Sequence, residues 1–227
     1  MTSLLERTIS IIAPNHCISC SKESNVLCVS CGAAAFSEHP NVCYLCNKPV
    51  IDSSVCKSCA GQTAIEHVWM ATTYEGVVKR LIRAYKFDRL RSAYEPLASA
   101  MTDALPYFDH ELVVVHIPTA PSRVRQRGYD HSLLLARSLA RNRGWKQLSA
   151  LRRRHNLRQV GASRTERQKQ AQSAFELKSS KGLTGVHVLL IDDVTTSGAT
   201  LTAAAHLLKR AGAAKVDAVV VAKHAIE

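Results

Sequence analysis

The sequence predicts an α/β protein, a mostly parallel sheet flanked by helices and preceded by a small cysteine-rich module. Three observations carry that expectation. Val188 to Ile191 form an apolar run too short for a helix and without a polar alternate, which fits a strand buried on both faces, and Glu111–Pro118 and Lys215–Val221 read the same way. Strand-like and helix-like stretches alternate after residue 105, which implies right-handed crossovers with ligands at the carboxyl ends of the strands. All eight cysteines fall between Cys17 and Cys59.

With 227 residues and 46% hydrophobic content, the chain has room for one substantial core and a small appendage. Its formal charge of +12 is uneven. Residues 121–181 hold sixteen Lys/Arg against three Asp/Glu, a net of +13, whereas the remainder has fourteen against fifteen. Such a field attracts polyanions, either a phosphorylated small molecule or a nucleic-acid backbone. No window approaches the length of a membrane span.

Met1 to Pro14 is interrupted by Glu6 and Arg7, reads as a short helix rather than a targeting segment, and leads to the expectation of a cytoplasmic protein. The cysteines then occur as four Cys-x-x-Cys pairs. Each pair forms a tight knuckle that directs two thiolates at one tetrahedral metal, and two knuckles complete a closed Cys₄ shell. Sequential pairing predicts one structural zinc on Cys17, Cys20, Cys28 and Cys31 and a second on Cys43, Cys46, Cys56 and Cys59; crossed pairing is the alternative.

Ile65–Tyr74 is rich in β-branched and aromatic residues and begins the larger domain as a strand. Val77, Val78, Leu81, Ile82 and Tyr85 then recur at helical spacing. Lys79, Arg80, Arg83 and Lys86 lie on the opposite face, expected to be solvated, with a border on a cleft as the alternative. Arg91–Leu105 reads as a helix interrupted near its start by Pro96. After the Glu111–Pro118 strand, Arg123, Arg125 and Arg127 at alternate positions suit an extended anion-binding loop, followed by a helix over Ser132–Asn142. Leu151–Phe175 is basic and weakly periodic, which argues for a mobile loop with one helical turn.

Chemistry concentrates after Ile191. Asp192 and Asp193 stand at the end of a strand, Thr195, Thr196, Ser197, Gly198 and Thr200 follow, and Leu201–Arg210 reads as a helix. Unpaired N–H groups and the dipole of a helix N-terminus favour a phosphate there, and Gly198 permits close backbone approach. The two carboxylates, repelled by that phosphate, suit the hydroxyls of a ribose.

The stretch Val188-Leu-Leu-Ile-Asp-Asp-Val-Thr-Thr-Ser-Gly-Ala-Thr200 resembles, without a gap, the PRPP-binding signature of the type I phosphoribosyltransferases. Four further features extend the likeness: the Cys-x-x-Cys ribbons, Tyr74-Glu-Gly before a basic helix ending Lys86-Phe87, Arg125-Gln-Arg-Gly-Tyr129, and Glu166-Arg-Gln before Ala174-Phe175. Together they resemble the ComF (ComF/GntX) family of competence-associated proteins. His116, Ala120 and Asp130-His131 depart from that family's usual residues.

The resemblance implies a type I phosphoribosyltransferase fold over 63–227 behind a double zinc-ribbon domain over 13–62. It implies that Asp192, Asp193, Val194, Thr195, Thr196, Ser197, Gly198, Ala199 and Thr200 bind PRPP, with Asp192 and Asp193 at the catalytic centre and Mg²⁺ bridging ribose and pyrophosphate. Thr119 to Ser122 would take the place of the pyrophosphate loop, with Arg123, Arg125 and Arg127 as further polyanion contacts. The implied role is DNA uptake, with single-stranded DNA and a DNA-translocase competence protein as partners, the latter able to hold the protein at the inner face of the membrane. A nucleobase salvage phosphoribosyltransferase is the alternative, and a zinc-ribbon docking protein with a relic core is a third reading.

Overall fold

The computed structural model describes residues 16–154 and 174–224. A five-stranded sheet in the order β1-β7-β6-β2-β3 forms the centre, built from β1 (Val68–Thr73), β2 (Val113–His116), β3 (Lys146–Leu148), β6 (His187–Thr195) and β7 (Lys215–Lys223). Every pairing in it is parallel. Because strand side chains alternate, each central strand feeds two cores. Val114, Leu189, Ile191, Val219 and Val221 pack on one face with helices α2 (Gly76–Phe87), α3 (Tyr94–Asp103) and α5 (His131–Arg143). Val115, Val188, Leu190, Val216 and Val220 pack on the other with α6 (Ala199–Arg210). The mostly parallel, doubly covered sheet is the expected fold class.

The cysteine module contributes to both cores. Cys17, Val26 and Leu27 join the face carrying α2 and α3, with the short helix α1 (Val29–Ala35) beside them, whereas Tyr44 joins the α6 face. Burial of these side chains ties the module to both sides of the sheet.

Three expectations change. Residues 121–127 are not extended: Pro121–Arg127 is a helix, α4, opened by proline at its first turn and closed by Gly128 at φ +85°. Proline at the first position and left-handed glycine after the last were the overlooked helix signals. Helix α3 continues through Pro96, which sits in the first turn where the missing N–H donor costs no intrahelical hydrogen bond; a 3₁₀ turn over Arg91–Ala93 precedes it. The ends of the basic segment are strands rather than loop, since β4 (Leu151–Arg153) pairs antiparallel with β5 (Phe175–Leu177). The rest of that segment and the Met1–Pro14 helix lie outside the described residues.

At the amino-terminal edge of the sheet, Asp217 is fully buried yet ionic. Its oxygens lie 2.7 Å from His187 Nε2, 3.2 Å from Lys215 Nζ and 3.1 Å from His67 Nδ1, and the His67 amide donates to it at 2.9 Å. Burial raises the carboxyl's proton affinity, but His187 and Lys215 outweigh it and hold the group below the usual carboxylate range. Removing one partner of such a set leaves the others desolvated and uncompensated. Asp217→Ala is therefore expected to lower the unfolding free energy in urea by about 3 kcal/mol at neutral pH. The folded carboxylate binds its proton more weakly than the unfolded one, so the gap to wild type narrows as pH falls below about 4.

Candidate functional site

Strand β6 delivers Asp192 and Asp193 to the carboxyl edge of the sheet. Backbone amides hold both side chains locally: the Asp193 amide donates to Asp192 Oδ1 at 2.9 Å and the Val194 amide donates to Asp193 Oδ1 at 2.6 Å. Asp193 is only 3% exposed, and its Oδ2 has Lys86 Nζ and His131 Nε2 each at 2.7 Å. Lys86 comes from the last turn of α2 and His131 from the first residue of α5. The basic face of α2 is thus not wholly solvated, because Lys86 borders the site.

His131 is held through both ring nitrogens. Arg127 NH1 lies 2.8 Å and Thr119 Oγ1 2.9 Å from His131 Nδ1, on the side of the ring away from Asp193. Arg127 is buried, its guanidinium proton affinity lowered by burial, and its charge lies 5.3 Å from the Phe87 ring centroid. Arg123 and Arg125 are exposed on α4. Thr119 is buried and points inward, its hydroxyl donating to Asp130 Oδ1 at 2.8 Å and its amide facing Asp130 Oδ2 at 3.2 Å. The structure brings Arg127 and Thr119 into one network with the acids; it does not bring Arg123 and Arg125 there.

The two acids are unequal. Burial raises the Asp193 carboxyl, but Lys86 and His131 outweigh that and hold it well below the usual range. Burial, and then the neighbouring Asp193 charge, push Asp192 up to about 7. The pair shares its protons, with Asp193 as the ionised member.

Beyond Thr195, residues Thr196 and Ser197 are exposed and Gly198 adopts φ +72° as the N-cap of α6. No side chain caps this helix, so the first-turn amides keep their donors for another acceptor. Thr195 itself is buried, and Thr200 is half-buried. Tyr44 and Lys223 close the inner side of the loop. Neither was legible as a site residue, nor was His131, because each acts across a long sequence separation.

The cysteines form the two sequential sets, with each set's sulfurs all within 4.8 Å of one another and every cysteine free of disulfide. The Cys20–Cys28 and Cys46–Cys56 sulfur separations are 3.8 and 3.5 Å. A tetrahedral zinc with bonds of about 2.3 Å sets its sulfurs ~3.8 Å apart, so the sites fit that ion. The thiols also resist sharing the space without a cation: the Cys28 amide draws Cys17 down to about 6, whereas burial and neighbouring Cys46 and Cys56 push Cys59 up to about 12. No helix among the described residues is long and apolar enough to cross a membrane.

Residues 134–227 match the family model described as phosphoribosyl transferase domain. The chain is 28% identical over 208 residues to competence protein ComFC of Bacillus subtilis (strain 168), covering 86% of this chain and 83% of that one. It is 27% identical over 218 residues to DNA utilization protein YhgH of Salmonella typhi, covering 84% and 94%. Among solved structures it is similar to an allosteric regulatory enzyme of purine biosynthesis, at 17% identity and a TM-score of 0.40 over 56% of this chain; it spans 25% of that enzyme.

A raised carboxyl makes ionisation costly in the ligand-free protein. The folded state binds the Asp192 proton more tightly than the unfolded one, so its contribution to stability is full below about pH 4 and is lost as pH rises through about 7. Asp192→Asn is expected to unfold at a higher temperature than wild type at pH 8, with a smaller difference at pH 5, by calorimetry at both pH values.

Proposed function

Because the chain belongs to the ComF family of phosphoribosyltransferase-like proteins, we propose that it binds PRPP with Mg²⁺ at the end of β6 and acts in DNA uptake by handling single-stranded DNA. One observation supports this most: two carboxylates at a strand end run directly into an uncapped helix N-terminus opened by a left-handed glycine. That arrangement offers acceptors for a sugar diol beside donors for a phosphate. Asp192 and Asp193 take the ribose hydroxyls, and the amides and hydroxyls from Thr196 to Thr200 take the 5′-phosphate. Lys86 and Arg127 place positive charge beside the acids, with His131 between Arg127 and Asp193, where pyrophosphate would leave C1 of the sugar.

Carboxylate and ribose oxygens are the hard donors that Mg²⁺ prefers, and the ion, held there with the pyrophosphate, supplies charge neutralisation for the leaving group. Zinc in both cysteine sets keeps the module folded, since four thiolates leave no open position for catalysis. The domain reading follows the same lines: residues 13–62 form the double zinc ribbon and 63–227 the transferase-like unit. Arg123 and Arg125, exposed on α4, and the strongly basic 121–181 stretch supply phosphodiester contacts. The names of the relatives, a competence protein and a DNA utilization protein, support the DNA role.

Calorimetric titration of the wild type with PRPP and Mg²⁺ is expected to give a saturable heat, reduced at least about tenfold in affinity by Asp192→Ala. Absence of any heat overturns the PRPP reading. Single-stranded DNA binding is expected to weaken steeply with salt, log K falling linearly with log salt concentration. Pyrophosphate release with one nucleobase, without DNA binding, would point to a salvage enzyme instead.

A further inference from the structure

The second cysteine cluster reaches directly into the anion loop. Between Cys43 and Cys46 the knuckle presents Tyr44, 1% exposed, against Gly198. A Cβ at residue 198 would lie 2.5 Å from two Tyr44 ring carbons and 3.0 Å from Leu45 Cδ2, so the glycine is required by the tyrosine as well as by its φ of +72°. The ring fills the space under the loop, and the loop's backbone rests on it.

Two sets of hydrogen bonds fasten the same contact. Tyr44 Oη donates to Thr63 Oγ1 at 2.6 Å, so its 2.7 Å partner Thr202 Oγ1, in the first turn of α6, is the donor to Tyr44. One hydroxyl thereby joins the Cys43–Cys46 knuckle, the chain just beyond Cys59, and the helix whose N-terminus faces the site. Lys223, the buried last residue of β7, donates from Nζ to the Tyr44 carbonyl at 2.8 Å and the Thr196 carbonyl at 3.2 Å. The ammonium therefore bridges the tip of the knuckle to the anion loop itself. Ring contact, hydroxyl chain and ammonium bridge converge on Thr196 to Thr202.

The first cluster has no such link among the described contacts. Cys17, Val26 and Leu27 pack into the core on the other face of the sheet, with α2 and α3. The two metal-fitting clusters are thus asymmetric with respect to the loop.

We propose that Tyr44 and Lys223 are positioning residues for the anion loop, and that metal in the second cluster, not the first, sets the loop's order. An ordered knuckle presents the Tyr44 ring and carbonyl in one place, and the loop amides are aimed by that fixed surface. Without the metal the knuckle loses its closure, Lys223 loses one of its two carbonyls, and the first turn of α6 loosens. The consequence for phosphate affinity rests on the PRPP reading above; the coupling of cluster to loop does not.

The test uses the full chain and reads amide hydrogen exchange across 195–202, zinc content and global unfolding midpoint. Lys223→Met and Tyr44→Phe are expected to retain two zinc equivalents and near wild-type midpoints while loop exchange rises about tenfold or more. A Cys43→Ser/Cys46→Ser variant is expected to lose one zinc and the same protection. Cys17→Ser/Cys20→Ser is expected to lose one zinc and global stability but keep loop exchange at the wild-type ratio to the core. Wild-type loop exchange in zinc-loaded Lys223→Met and Tyr44→Phe overturns the proposal, even where a cysteine variant fails to fold. Calorimetry with PRPP and Mg²⁺ separates the two ideas. A wild type that ignores PRPP while the loop variants exchange faster sinks the ligand reading and leaves the coupling standing; PRPP binding unchanged in variants with wild-type exchange does the reverse.

Discussion

A carboxylate withdrawn from water must be met by positive charge, and Asp193 is met by two groups from separate helices. Lys86 ends α2 and His131 begins α5, so the packing of those helices on the sheet is constrained by one oxygen atom. The helices are tied to each other independently. Tyr85, next to Lys86, donates to the His131 carbonyl at 2.8 Å, and the Tyr129 hydroxyl donates to the Tyr85 carbonyl. Arg127, at the end of α4, completes the arrangement by contacting His131 Nδ1 at 2.8 Å. Displacing any one of these elements would strand a buried charge, which is why the acids are held rigidly although they lie at the end of a strand.

The sheet imposes a second constraint. A parallel sheet must be covered on both faces, and here the helices leave part of that work to the cysteine module. Residues of the first cluster pack on the face carrying α2 and α3 and those of the second on the α6 face. A module of this size buries too little apolar surface to fold on a core of its own, so contact with the sheet and closure of the thiolate sets act together. The cysteine segment is therefore part of the molecule's interior architecture rather than a pendant.

What was legible in the sequence was local. The β6 strand, its two acids, Gly198 and α6 are contiguous, and their order alone announces strand, loop and helix. The four Cys-x-x-Cys pairs were legible, but spacing left crossed pairing open, and the fold is what brings the sequential sets together. The alternate arginines misled because a period of two was weighed without the helix-opening proline and helix-closing glycine around it. Lys86 was legible only as the alternative to a solvated face, and His131, Tyr44 and Lys223 were not legible as site residues, since their partners lie on other elements and nothing near them in the chain records the contact. The departures from the resemblance fall at His116, Ala120 and Asp130-His131. In the fold they are one neighbourhood: Asp130 accepts from Thr119, Thr119 also reaches His131 at 2.9 Å, His116 lies 4.0 Å from Asp130, and Ala120 caps α4. Exchanges that share contacts are coupled, so they are better read as one repacked corner than as four independent substitutions.

That corner bears on how the acids respond to a ligand. Asp193 has its counter-charges in place, so its ionisation is already compensated within the protein. Asp192 is governed first by burial and then by the Asp193 charge, and Lys86 and His131 offset only part of both. On the proposed reading, the carboxyl that the protein leaves under-compensated is the one that the ligand would complete. Any guest that brings a cation or hydroxyl donors to Asp192 lowers the cost of its negative charge, and near neutral pH that means expelling a proton as the guest arrives. On the proposed PRPP reading, binding and deprotonation of Asp192 would be a single thermodynamic event, with Asp193, Lys86 and His131 as the fixed reference against which it occurs.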